Sequence, residues 1–211
     1  MTDGLQQIVD GLTDASPLDQ VNLVLGIVGV ALMIRRSLWA FPVGMVAVTV
    51  QGVLFWQWTF YADAKLQIFF FVCLGYGWWH WVKHKGNAPE LPITTLGWPV
   101  RGAWIVGATL VMLGWGYWQS GHTDAVMPYR DTFIASFSMA AQVLQVRKRL
   151  ENWAGWVAVN SVAVVTYWAA GLVYTSFLYT VFLGMGVLGW WQWWRAMTAT
   201  TAATEEAATH G

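Results

Sequence analysis

The sequence predicts an all-α membrane protein of seven transmembrane helices, built as two three-helix units of like orientation joined by one crossing helix. Three observations carry this. Of the 211 residues, 57% are hydrophobic and only 10% charged, less than half the roughly 25% charge of ordinary soluble domains. Seven apolar runs, each near the ~20 residues needed to cross about 30 Å of hydrocarbon, follow one another with short polar breaks. The string that closes the third run, Gly77-Trp78-Trp79-His80-Trp81, returns at the end of the seventh as Gly189-Trp190-Trp191-Gln192-Trp193.

The runs cover 18–34, 38–58, 62–82, 100–119, 131–147, 153–172 and 176–195. Their breaks have loop chemistry: Arg35-Arg36, then 59–61, 83–92, 121–129, 147–151 and 173–175. Helices joined so tightly run antiparallel to their neighbours. Residues 1–17 form an extracytoplasmic segment with Asp3, Asp10 and Asp14 but no basic stretch, so no cleaved secretory leader is expected. Leu5, Ile8, Val9 and Leu12 fall on one side of a short amphipathic surface helix there. The remaining divisions are a first unit at 18–85, a linker helix with its flanks at 86–129, and a second unit at 130–195. Residues 196–211, small and polar, are expected to form a disordered cytoplasmic tail.

Loop charge sets the orientation, because short cytoplasmic loops are enriched in Lys and Arg. With the N-terminus outside, nine of the eleven basic residues fall on the cytoplasmic side: Arg35, Arg36, Lys83, Lys85, Arg101, Arg147, Lys148, Arg149 and Arg195. Lys65 and Arg130 stay outside with Asp3, Asp10, Asp14, Asp19, Asp63, Asp124 and Asp131. The zero net charge and lack of a clustered basic excess exclude a nucleic-acid footprint. Cys73 is the single cysteine and lies in an apolar run, so it offers neither an intrachain disulfide nor a thiolate framework for zinc. Tryptophans near span ends, such as Trp39, Trp58, Trp98, Trp118, Trp153 and Trp194, suit an interfacial belt.

The repeat extends beyond its closing string. Arg36 and Trp39 are echoed by Arg149 and Trp153, and Tyr61 by Tyr174, with the offset drifting from 114 through 113 to 112. The charge-derived topology makes both units run from outside to inside. Like-oriented units of three spans need an odd number of spans between them, and the run at 100–119 supplies it. Parallel repeats related by an axis along the membrane normal are known in SWEET-type transporters, with the substrate at the repeat interface near midplane.

Polar groups inside spans are costly and therefore mark candidate sites. Gln51, Gln57, Gln67, Gln142, Gln145, Asn160, Tyr167, Tyr179, Thr180, His80 and Gln192 are the main ones, with Gln142 and Asn160 deepest in their runs. The pairs Trp78/Trp81 and Trp190/Trp193, three residues apart, each project onto one helical side where a flat or cationic ring could stack. No Asp, Glu, Lys or Arg lies near the centre of a span and no phosphate-binding loop occurs. Ion-coupled and ATP-driven transport are thereby disfavoured against facilitated diffusion. No constellation of His, Cys and acidic residues faces itself as an enzyme would require, so neither catalysis, metal nor cofactor is expected.

The stretches Phe41-Pro-Val-Gly44, Tyr61-Ala-Asp63, Leu66-Gln67-Ile-Phe-Phe-Phe71 and Tyr76-Gly77-Trp78-x-x-Trp81 resemble the first repeat of the PnuC family of vitamin transporters. Asp131, Gln142, Arg147-Lys148, Glu151-Asn152-Trp153, Trp156, Asn160 and Gly189-Trp190-x-x-Trp193 are similar to its second repeat. The resemblance covers about residues 20–195. It implies a SWEET-like fold, a homotrimer in the bacterial inner membrane, and uptake of nicotinamide riboside, an NAD precursor, trapped by a cytoplasmic kinase. Thiamine, riboflavin and deoxynucleosides are the alternative substrates, and a membrane assembly component without transport activity is the alternative role. The family's W-x-x-W motifs border the binding site, which implies roles for Trp78, Trp81, Trp190 and Trp193. Asn160 matches the family's site asparagine, with Gln67, Gln142 and Tyr179 as further contacts. Ala47 stands opposite Asn160 as its repeat partner, and Leu74 precedes the Tyr-Gly-Trp; at both places the family often has Asn.

Overall fold

The chain is described by a computed structural model covering residues 2–57, 61–86, 88, 90–123 and 127–209, without the side chains at 2, 3, 12, 61, 62 and 201–209. Eight helices follow in order: α1 (Thr2–Thr13), α2 (Pro17–Ile34), α3 (Ala40–Gln57), α4 (Tyr61–Lys83), α5 (Trp98–His122), α6 (Pro128–Val146), α7 (Asn152–Ala169) and α8 (Val173–Thr209). The seven expected runs correspond to α2 through α8. The expected features at Trp58, Thr59, Asp124 and the Leu12 side chain lie outside the described residues.

Helix ends follow local chemistry. Ser16 opens α2 with a capping box, its hydroxyl accepting from the Asp19 amide while the Asp19 carboxylate accepts from the Ser16 amide, and Pro17 stands at the first helical position. At the far end, Arg36 takes a left-handed φ of 57°. Its amide donates to Met33 O at 2.9 Å and the Ser37 amide to Leu32 O at 3.0 Å. These paired bonds satisfy carbonyls left over at the helix terminus. The end of α6 repeats this turn with Lys148 at φ 55° and bonds from Lys148 to Gln145 O and Arg149 to Leu144 O. Glycine is the default residue at such a position because it has no Cβ to clash. Glycines take it after α7, at Gly171, and just past α4, at Gly86.

Consecutive helices pack as neighbours: α2 on α3 on α4, and α6 on α7 on α8. The two groups meet where α4 packs on α6 and α2 on α8, while α5 lies against α6 and α1 against α8. By length and composition, three helices are apolar enough to cross a membrane: Pro17–Ile34, Ala40–Gln57 and Val173–Thr200. The helix α6 carries polar groups turned inward, Thr132, Ser136, Ser138, Gln142 and Gln145, all buried. The outer surface is hydrocarbon, with Val24, Val28, Ile68, Val72, Ile105, Leu110 and Val165 exposed. An apolar perimeter on this scale calls for a nonaqueous surrounding.

The core concentrates at the end bearing the basic loops. Phe41 meets Trp81 edge-on with centroids 5.0 Å apart and planes at 86°. Trp153 meets Trp193 in the same way, at 5.5 Å and 87°. Gly77 lies under Phe41, and Gly189 under Trp153. The Trp81 indole donates to Val146 O at 2.9 Å, while Trp193 donates to Met33 O at 3.2 Å. These matches all hold at one spacing of 112 positions, pairing Arg36 with Lys148, Phe41 with Trp153, Gly77 with Gly189 and Trp81 with Trp193. The drifting register read from residue identity is therefore corrected. Trp39, expected to match Trp153, is 70% exposed, and Phe41 fills the equivalent buried place. What repeats is the aromatic edge contact, which Phe and Trp can both make.

The helix α8 also continues past 195 as far as Thr209, where a disordered tail was expected. No Gly or Pro interrupts 190–209, and Ala and Glu are strong helix formers.

Candidate functional site

Above this aromatic layer, helices α2, α3, α4, α6, α7 and α8 enclose a cavity of about 310 Å³. Its walls differ. Gly26, Gly29, Gly44, Ala47, Val48 and Leu74 from the first three-helix group give a hydrocarbon wall. Gln142, Gln145, Trp153, Trp156, Asn160 and Tyr179 from the second give an amide and aromatic wall. None of the described residues lining the cavity is Asp, Glu, Lys, Arg or His.

Helical spacing builds the polar wall. Gln142 and Gln145 stand three apart on α6, and Trp153, Trp156 and Asn160 stand three and four apart on α7, so each set shares one side of its helix. The Trp156 indole donates to Gln145 Oε1 at 3.2 Å, fixing both side chains. Asn160 Nδ2 donates to Trp156 O one turn back at 2.8 Å. The Tyr179 ring stacks on Tyr167 with centroids 5.2 Å apart. Two buried donors remain without a hydrogen-bond partner among the described residues: Gln142 Nε2, on a residue 5% exposed, and Trp153 Nε1. Unpaired buried donors are costly and uncommon. Here they belong to two residues that line the same cavity.

Of the residues predicted from sequence, Gln142, Asn160 and Tyr179 come together here. Gln67 does not. It lines a separate outward groove between α3 and α4 with Thr49, Gly52, Trp56 and Lys65. Trp81 and Trp193 are buried in the aromatic layer with their indole protons committed to carbonyls. Trp78 and Trp190 are 43% and 40% exposed on the outside of the bundle. The expectation that each W-x-x-W pair presents one common surface is thus corrected. Three residues advance a helix by about 300°, and for a helix lying between core and perimeter the remaining 60° separates an inward indole from an outward one. Sequence reasoning named Gln145 only among the in-span polar candidates and gave Trp153 and Trp156 no site role, although the Q-x-x-Q and W-x-x-W-x-x-x-N spacing held the signal.

Charge gathers away from the cavity, at the basic end. Glu90 lies in the segment after α4. Its carboxylate accepts from Arg36 Nε at 3.1 Å on both oxygens and from Lys148 Nζ at 2.9 Å. Burial pushes the Glu90 carboxyl up, but the hydrogen bond and charge of Lys148, with the charge of Arg36, bring it net below its ordinary value. Burial lowers Lys148, a shift that Glu90 offsets only in part. Farther along, Arg101 pairs with Glu151 at 2.8 Å, and the same carboxylate oxygen accepts from the Leu96 amide. Among the described residues, no group of three or more His, Cys, Asp or Glu side chains could hold a metal ion.

An all-helical bundle with an apolar perimeter and a cavity lined by no acidic or basic side chain suits a membrane carrier of a small molecule. The comparisons with known proteins agree. Residues 16–195 match the family model described as nicotinamide mononucleotide transporter, and the chain belongs to that family, the PnuC-type vitamin transporters. It is 28% identical over 193 residues to the nicotinamide riboside transporter PnuC of Escherichia coli (strain K12), covering 80% of this chain and 81% of that protein. It is 29% identical over 182 residues to the riboflavin/roseoflavin transporter RibM of Streptomyces davaonensis, covering 82% and 84%. The fold is shared with the crystal structure of the vitamin B3 transporter PnuC, at a TM-score of 0.74 and 20% identity, over 93% of this chain and 88% of that one. The protein is a non-enzymatic membrane carrier.

Proposed function

We propose that the chain is a passive carrier of nicotinamide riboside in a bacterial inner membrane. The observation that carries this reading is the cavity, with amides and aromatic rings on one wall and no acidic or basic side chain. Nicotinamide riboside presents a flat pyridinium ring, a carboxamide and ribose hydroxyls. Aromatic rings attract a desolvated organic cation by up to about 2 kcal/mol, and Gln142, Asn160 and the Trp153 N–H suit the oxygens. The lack of an acidic or basic side chain among the described lining residues favours uptake without a bound proton or ion. Net uptake then follows the gradient, with a cytoplasmic kinase trapping the product. In this reading α2 to α8 are seven spans in a 3+1+3 SWEET-like plan, the N-terminus is outside, and the protein is a homotrimer. The recurrence of turn, glycine and tryptophan contacts at a constant spacing supports the repeat.

Riboflavin is a second reading, favoured by the hydrocarbon wall of Gly44, Ala47, Val48 and Leu74, which would suit a dimethylbenzene edge, and by the similarity to RibM. Counterflow of labelled nicotinamide riboside and riboflavin into proteoliposomes decides between them. Saturable nicotinamide riboside counterflow that riboflavin does not inhibit is the expected result. Preferential riboflavin exchange would reverse the assignment, and accumulation above the external level without a trapping enzyme would overturn the passive mechanism.

A further inference from the structure

The basic end of the bundle carries a second constellation that the cavity does not need. Arg36 and Lys148 occupy the same left-handed place in two matching helix-end turns, 112 positions apart. Non-glycine residues are uncommon there and cost energy. Both side chains end on one carboxylate, Glu90, in the segment between α4 and α5 that belongs to neither three-helix group.

The two arms differ. Lys148 is fully buried, its Nζ held by Glu90 and the Leu91 carbonyl and placed 4.5 Å over the Trp81 ring. On that side the segment is also tied by backbone bonds, Thr94 N to Lys148 O and Leu150 N to Thr94 O, and by Leu96 to Glu151. Toward α2 its tie is the Arg36–Glu90 ion pair, with side chains 24% and 46% exposed. Strong attachments therefore hold the strap to the second group, while a solvent-accessible pair holds it to the first.

Between strap and cavity lie Trp81 and Trp193, each of which reaches across the boundary between groups. Trp81 on α4 bonds the end of α6, and Trp193 on α8 bonds Met33 on α2. Met33 lines the cavity, and Trp81 lies under Lys148. Parting the two groups at this end must break both indole bonds and the ion pair together.

We propose that the Arg36–Glu90 pair is a clasp whose opening lets the two three-helix groups separate at the basic end and expose the cavity there. Arg36 and Glu90 are in this view positioning residues of the transport cycle, acting without touching the substrate. The inference rests on the carrier reading. Because the Arg36 arm is an exposed pair, its loss should change the closed-to-open balance by about two- to fivefold and not abolish the closed state.

The test uses the full chain in proteoliposomes with Cys73→Ser and a reporter Val48→Cys on the cavity wall, labelled by a membrane-impermeant maleimide from each side. Arg36→Gln should raise labelling from the basic end about two- to fivefold, leave nicotinamide riboside affinity in detergent within twofold, and keep Lys148 paired so that folding persists. Arg36→Lys, which keeps the cation and leaves Glu90 on Lys148, should label within about twofold of the parent. Glu90→Gln should raise labelling further, although stranding buried Lys148 can impair folding, which is why Arg36→Gln is decisive. Unchanged labelling in Arg36→Gln, in a protein whose parent binds and exchanges substrate, would refute the clasp. An unsubstituted chain that neither binds nor exchanges any vitamin would instead refute the carrier reading.

Discussion

Replacing Gln142 by Leu should make the empty protein more stable and its grip on substrate weaker. Gln142 is 5% exposed, and its Nε2 finds no partner among the described residues. A buried donor left unpaired costs about 1–3 kcal/mol, and leucine removes it at similar volume. In a chain of this size each kcal/mol gained moves the melting temperature by about 2–4 °C. A hydrogen bond to a neutral guest contributes about 0.5–1.5 kcal/mol net, so its loss should raise Kd by about two- to thirteenfold. Thermal unfolding in detergent, with and without nicotinamide riboside, reads both effects at once, because a ligand stabilises according to its occupancy. Gln142→Leu should melt higher alone and gain less from ligand. A variant that melts lower when empty and binds as tightly as the parent would show that Gln142 is an ordinary structural amide, and the cavity would lose its best-argued contact.

Other outcomes follow from the same geometry. A Cβ at Gly29 would make only ordinary contacts, 3.8 Å or more, with Val43 and Gly44. Gly29→Val should therefore fold yet obstruct the cavity, cutting counterflow at least about tenfold, the factor carried by 1.4 kcal/mol. A Cβ at Gly189 would lie 2.5 Å from Trp153, whereas Gly184, five residues earlier, has nothing within 4 Å. Gly189→Ala should then destabilise by about 1–3 kcal/mol through overpacking, while Gly184→Ala should be neutral or gain up to about 1 kcal/mol in helix propensity; melting of the two variants side by side checks the contrast. Glu90, held below its ordinary value, contributes stability that is complete above the usual carboxylate pKa of about 4.3 and is lost as pH falls through the lower folded value. The parent should accordingly lose melting temperature below about pH 4.3 more steeply than Glu90→Gln, and parallel pH profiles would contradict that.

Much of the site was legible as pattern and not as position. Gln142, Asn160 and Tyr179 were found because polar side chains inside apolar runs are rare and expensive. Trp81 and Trp193 were noticed for the same motif that made Trp78 and Trp190 conspicuous, yet the four have different fates. Two serve as buried cross-links between helices and two face outward. Helical spacing alone does not say which edge of a stripe meets a neighbour. Gln67 illustrates the complementary error, since a polar residue inside a run can also face the perimeter beside small residues such as Gly52.

Hydrophobic run length, polar breaks and repeated motifs are properties of the chain itself, because each span must satisfy its own backbone hydrogen bonds in hydrocarbon. The all-helical membrane class was accordingly legible in the sequence. The register of the repeat was not, because Phe41 and Trp153 make equivalent contacts without sharing identity. Nor were the two unlike walls of the cavity or the meeting of Arg36, Glu90 and Lys148. Those depend on how separate helices rotate and pack against each other, which the tertiary structure alone decides.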